Sequence, residues 1–146
     1  LKYIHAIDCP WNACSTIAAA KGGSQNHLKC LRYLFEHGCP WDERAYFEAT
    51  IECAQYLCDN KCPMTSRTLI RTMDCFAVFE LLCVHNCPCD DHVFMAAIHQ
   101  PDIAVSIIRC LVKHNYKWSN SVYNNALMAQ RLDIMSVLDA NELEDT

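Results

Sequence analysis

One short pattern recurs along this chain, and it restricts the fold more than any other feature. It first runs Leu1-Lys2-Tyr3-Ile4-His5-Ala6-Ile7-Asp8-Cys9-Pro10-Trp11, then Leu31-Arg32-Tyr33-Leu34-Phe35-Glu36-His37-Gly38-Cys39-Pro40-Trp41. Fainter copies span Ala54 to Met64, Phe79 to Cys89 and Ile108 to Trp118, and an eroded one begins at Ile134. The closing positions are Cys9, Cys39, Cys62, Cys87, Tyr116 and Glu142, so the steps are 30, 23, 25, 29 and 26 residues. A period near 27 suits one short helical hairpin per repeat, each burying its apolar face on its neighbours.

The residues around the pattern predict where each helix starts and stops. Asn12, Asp42, Thr65, Asp90 and Ser119 follow the Cys-Pro-Trp slot, and all have side-chain oxygens that can cap orphan backbone N–H groups. Trp11, Trp41, Met64, Cys89 and Trp118 precede the caps; Thr16, Tyr46, Leu69, Phe94 and Tyr123 lie four residues beyond them. That spacing matches a hydrophobic staple in all but the Thr16 case. Ile4, Leu34, Leu57, Leu82 and Leu111 form an aliphatic column on the second helix of each pair. That helix should stop at Asp8, Gly38, Lys61, Asn86 or Asn115. Glycine, Asn and Asp tolerate the left-handed residue that ends many helices, and Lys61 is the exception. No segment alternates with period two, and there is no Asn-Gly or Asp-Gly hairpin signal. The reading is an all-α chain of about ten to eleven short helices stacked in pairs.

Leu1–Trp11 and Leu31–Trp41, with Ala18-Ala19-Ala20-Lys21-Gly22-Gly23 between them, resemble the ankyrin-type repeats of large DNA viruses and some protists. The resemblance is close through Trp41 and thereafter rests on period and column. It implies an ankyrin-like α-solenoid acting as an interaction scaffold without catalytic residues. Standard ankyrin repeats are about six residues longer and carry a β-turn finger, so here the finger is expected to be reduced or absent. The Thr-Pro-Leu-His signature is missing. On this reading residues 1–146 form one domain with repeats at 1–11, 12–41, 42–64, 65–89, 90–118 and 119–142. Leu1 falls inside a second helix, so the domain is expected to be truncated at its N-terminus.

Twelve cysteines in 146 residues raise the alternative of a Cys-rich metal or redox module. The repeat register favours buried, reduced thiols instead. Cys9, Cys39, Cys62 and Cys87 share one column; Cys30 and Cys53 share a second with Val78, Ile107 and Asp133; Cys58 and Cys83 share a third with Phe35 and Val112. A column spaced by helix packing of about 8–10 Å cannot converge on one ion. The spacings Cys58/Cys62 and Cys83/Cys87/Cys89 contain no CxxC pair. No metal site and no cofactor are expected.

The remaining chemistry is sparse. His37, His85 and His114 fall in the last turn of second helices, where the helix dipole favours a cation; a structural role is expected for them. Tyr3, Tyr33 and Tyr56 read as a packing column. There is no phosphate loop, His-Glu-x-x-His or Gly-x-Ser-x-Gly, and no enzyme is expected. A net charge of −5 argues against a nucleic-acid partner, and no apolar run is long enough for a membrane span. No small-molecule substrate is expected, and the location should be intracellular: cytoplasm, or host cytoplasm or virion if viral. Recognition should then use positions that vary between repeats. Glu43, Arg67, Arg71 and Asp91, on successive first helices, are the expected contacts for a protein partner.

Overall fold

The computed structural model describes residues 11–22 and 25–142. The first copy of the pattern, including Ile4, Asp8 and Cys9 and reaching as far as Pro10, therefore lies outside the described residues. Among the described residues the chain is all-helical, with no strand. Its α-helices are α1 (Ala13–Lys21), α2 (Gln25–Glu36), α3 (Ile51–Asp59), α4 (Ser66–Thr72) and α5 (Phe76–Val84). They continue with α6 (Asp91–Ile98), α7 (Ala104–Lys113), α8 (Asn120–Met128) and α9 (Leu132–Glu142). A single 3-10 turn, Glu43–Tyr46, lies between α2 and α3.

All five expected N-caps stand at helix starts. The side chains of Asn12, Asp42 and Asp90 accept from the backbone N–H of Cys14, Arg44 and His92 at 2.9, 2.9 and 3.0 Å. Ser119 Oγ accepts from Ser121 N–H at 3.2 Å. Thr65 forms a reciprocal capping box, its own N–H donating to Thr68 Oγ1 at 3.0 Å.

The stops also fall where expected. Gly38, Lys61, Asn86 and Asn115 have φ of 73°, 57°, 55° and 60°. The next N–H then reaches back over the last turn: Cys39 to Leu34 O at 2.9 Å, Cys62 to Leu57 O at 2.9 Å, Cys87 to Leu82 O at 3.0 Å and Tyr116 to Leu111 O at 3.1 Å. Together with the bonds from Gly38, Lys61, Asn86 and Asn115 to the carbonyls three residues earlier, these are four Schellman motifs. Gln130, at φ 56°, makes a fifth after α8, at a residue with no glycine-like signature.

The repeat at 42–64 departs from the expected helix pair. Only residues 43–49 separate the caps Asp42 and Thr50. Seven residues cannot hold both an α-helix and a reversal, so the first helix contracts to the 3-10 turn. Between α1 and α2, a Cβ on Gly22 would collide with the His27 ring.

The core follows the repeat columns. Leu31, Ala54, Phe79, Ile108 and Ile134 are fully enclosed, as are Leu57, Leu82 and Leu111, with Leu34 at 1%. The position four past the cap is buried at Thr16, Tyr46, Leu69 and Phe94 and half-buried at Tyr123.

Two compact units divide the chain, Leu1–Met64 and Thr65–Thr146. In the first, α1 packs on α2, on the 3-10 turn and on α3, while α3 also packs on α2 and the 3-10 turn. In the second, α4 pairs with α5, α6 with α7, and α8 with α9. Here α6 touches both α4 and α8, and α7 touches both α5 and α9. First helices therefore form one row and second helices another.

Candidate functional site

The cysteine slot is the most regular polar feature. Cys39 Sγ donates to Asn12 O at 3.5 Å, Cys62 Sγ to Asp42 O at 3.5 Å, and Cys87 Sγ to Thr65 O at 3.4 Å. In each case the thiol at the end of a repeat reaches the N-cap carbonyl at the start of the same repeat. An aliphatic residue would fill the same space but leave that bond unmade, while serine would be smaller and more costly to bury. Tyr116, in the same column, is too long for that carbonyl and donates instead to Cys87 O at 2.8 Å. Tyr46 similarly donates to Cys62 O at 3.2 Å. Burial pushes the Cys62 thiol up to about 12 and raises those of Cys58 and Cys83, with Cys110 the main cause at Cys83.

The other cysteines divide by environment. Among the described residues none is in a disulfide. Cys14 and Cys75 are exposed, against the expectation of uniformly buried thiols. They sit outside the repeat columns, Cys14 on α1 and Cys75 at the N-cap of α5. Cys30 is only half-buried although Cys53, Val78 and Ile107 in its column are enclosed.

Further links join successive repeats within the second compact unit. Ser66 Oγ donates to Asp90 Oδ2 at 2.7 Å. One repeat later, Ser119 donates to Asp91 through its backbone N–H at 3.2 Å and through its hydroxyl. Arg131, which sequence reasoning missed, donates to Ile98 O and Gln100 O at 2.9 and 3.1 Å and pairs with Asp133 at 2.8 Å. A single arginine two residues outside any pattern column carries no signal for such a role.

The four expected recognition residues fall into different settings. Arg67 and Arg71 are exposed, one turn apart on α4. Asp91 opens α6 half-buried, with its carboxylate engaged by Ser119, which gives it a structural role the sequence reading did not see. Glu43 is half-buried in the 3-10 turn of the other compact unit. Other exposed side chains on the first-helix row of the second unit are His92, Ser121 and Asn124. Near the turn from α8 to α9, Leu127, Met128 and Leu132 remain 52%, 86% and 72% exposed.

The aromatics outside the core lie against second helices. Trp11 meets Tyr33 and His37 edge-on, with ring centroids 6.0 and 6.2 Å apart. Trp41 stacks on Phe35 at 4.3 Å, Phe35 meets Tyr56 edge-on at 6.1 Å, and Arg32 lies over the Tyr56 ring at 5.5 Å. Tyr33 and Tyr56 thus pack, as their register implied, but at the rim, while Tyr3 lies outside the described residues.

One group of side chains among the described residues could hold a metal ion: Glu80 on α5, with Cys110 and His114 at the end of α7. The sequence reading did not select it, because its members lie on two helices and share no motif. No family model, curated protein or solved structure matches this chain.

Proposed function

We propose that this chain is a non-catalytic protein-binding module, an ankyrin-like α-solenoid in which stacked helix pairs present one row of first helices to a partner. The supporting observation is how the polar side chains divide in the second compact unit. Those that recur with the repeat are hydrogen-bonded within the chain: the caps, the slot thiols, Asp90 with Ser66 and Asp91 with Ser119. The exposed side chains on α4, α6 and α8 differ from repeat to repeat, with Arg67 and Arg71 the charged pair. Solenoids recognise partners through such variable positions on a constant frame.

Arg67 and Arg71 are the centre of the contact proposed for this unit, and Glu43 a separate contact on the first. The partner is a protein carrying acidic groups opposite α4, since complementary charge sets specificity and encounter rate. The test is Arg67→Glu with Arg71→Glu in one chain, using the partner recovered from the native source. Affinity should fall by about tenfold or more while circular dichroism stays unchanged. Undiminished affinity with intact helicity would remove α4 from the interface.

A further inference from the structure

We propose that Glu80, Cys110 and His114 form a binding site for a thiophilic divalent cation of the zinc type, clipping α5 to α7. One ligand atom from each of the three residues lies within 4.8 Å of the others. Ligands around a tetrahedral zinc ion stand about 3.5 Å apart, given metal–ligand distances of 2.0–2.3 Å. Small side-chain rotations therefore close the set. Cys110 and His114 are four residues apart at the end of α7, so they share a face. That helix packs against α5, which carries Glu80.

A second observation points the same way. His114 Nε2 is buried and has no hydrogen-bond partner among the described residues. A buried polar nitrogen without a partner is destabilising, and a metal ion beside Cys110 and Glu80 would satisfy it. The donor set also chooses the metal. Sulfur and imidazole nitrogen select zinc-like ions over calcium or magnesium, which take oxygen. With Cys110 as thiolate, Glu80 ionised and His114 neutral, the ligands carry two negative charges against two positive, so the partly buried site is neutral.

Lys113 Nζ lies 3.3 Å from Glu80 Oε1. That pair is exposed and worth little, so it does not exclude a metal from the carboxylate. Binding would move the Cys110 proton to solvent and leave a fourth coordination position for water.

The experiment titrates the full reduced, metal-stripped chain with Co²⁺ and then Zn²⁺. One equivalent of Co²⁺ should produce visible bands of tetrahedral intensity and a sulfur-to-cobalt charge-transfer band. Zn²⁺ should erase both and raise the melting temperature. His114→Gln and Glu80→Gln should each weaken binding by at least about 100-fold, the upper range for losing a mere orienting partner. Cys14→Ser with Cys75→Ser, which removes exposed thiols elsewhere, should leave it intact. Circular dichroism checks that each variant is folded; Glu80, half-buried on the helix surface, is the one least able to disturb the core. Absence of a one-equivalent tetrahedral signal would overturn the site. So would binding unchanged by His114→Gln and Glu80→Gln, or binding lost with Cys14 and Cys75, which would mean adventitious capture by surface thiols.

Discussion

At the scale of single residues, four helix stops share one backbone conformation but not one residue type. Gly38 adopts φ 73° without strain, and among the described residues beyond its chain neighbours no atom lies within 4 Å of where its Cβ would be. Gly38→Ala therefore isolates the backbone effect, and urea denaturation should show a loss of about 1 kcal/mol. Lys61 holds the same conformation at φ 57° with a full side chain. Lys61→Gly should stabilise by a similar or smaller amount, since glycine also loosens the unfolded chain. If both substitutions were neutral, the left-handed stops would not be costing or saving anything.

The slot thiols make a second residue-level prediction. Burial holds Cys62 up to about 12 against an ordinary thiol value of 9.0. Burial, then Asp90 and Asp91, do the same at Cys89. Above pH 9 the unfolded chain releases thiol protons that the folded chain keeps. The folded state then binds more protons, so stability is full below pH 9 and falls as pH rises towards 12. Denaturation curves across that range should show the decline, and it should be shallower in Cys62→Ala. At pH 8 a thiol reagent should modify Cys14 and Cys75 quickly and Cys62 and Cys87 only as fast as the chain opens.

At the scale of elements, each helix is too short to stand alone, and its ends are held by groups that also serve the next repeat. Asp90 is the clearest case. One oxygen caps α6 through His92 N–H, and the other accepts from Ser66 on α4. Burial opposes ionisation, yet Ser66 and the backbone N–H of His92 hold its carboxyl below the ordinary value. Asp90→Ala should cost more than a simple cap, about 2 kcal/mol where a cap without a second link loses about 1. Ser66→Ala should cost less, and the double variant less than the sum. Additive losses in thermal or urea melts would show that cap and link act independently. The 3-10 turn makes the complementary point. When the two caps come within seven intervening residues, the α-helix is given up and the caps are kept.

At the scale of the whole molecule, the division at Met64/Thr65 leaves three complete helical hairpins on its C-terminal side. Within those hairpins both rows of helices are continuous, with α6 and α7 each packed between two neighbours. A chain of residues 65–146 should therefore remain helical and unfold cooperatively by circular dichroism. A featureless, non-cooperative melt would mean that this unit does not hold its own core. Among the described residues, no helix is long and apolar enough to cross a membrane.

Sequence alone determined the first-helix starts, the second-helix stops and the core columns, because these are local; it did not mark the second-helix starts or the stop at Gln130. A cap needs one oxygen two or three residues from its N–H, a Schellman stop needs one left-handed residue, and a column needs only the repeat register. Those signals placed Asn12, Asp42, Thr65, Asp90 and Ser119 correctly, and Leu34, Leu57, Leu82 and Leu111 inside. Only the tertiary structure decided what the slot thiols bond to, that Asp91 is occupied by Ser119, and that Arg131 ties α9 to the end of α6. It alone brought Glu80 to Cys110 and His114. These pairings join residues twenty or more apart, and their geometry depends on how one hairpin seats on the next. Period and composition carry no information about that seating.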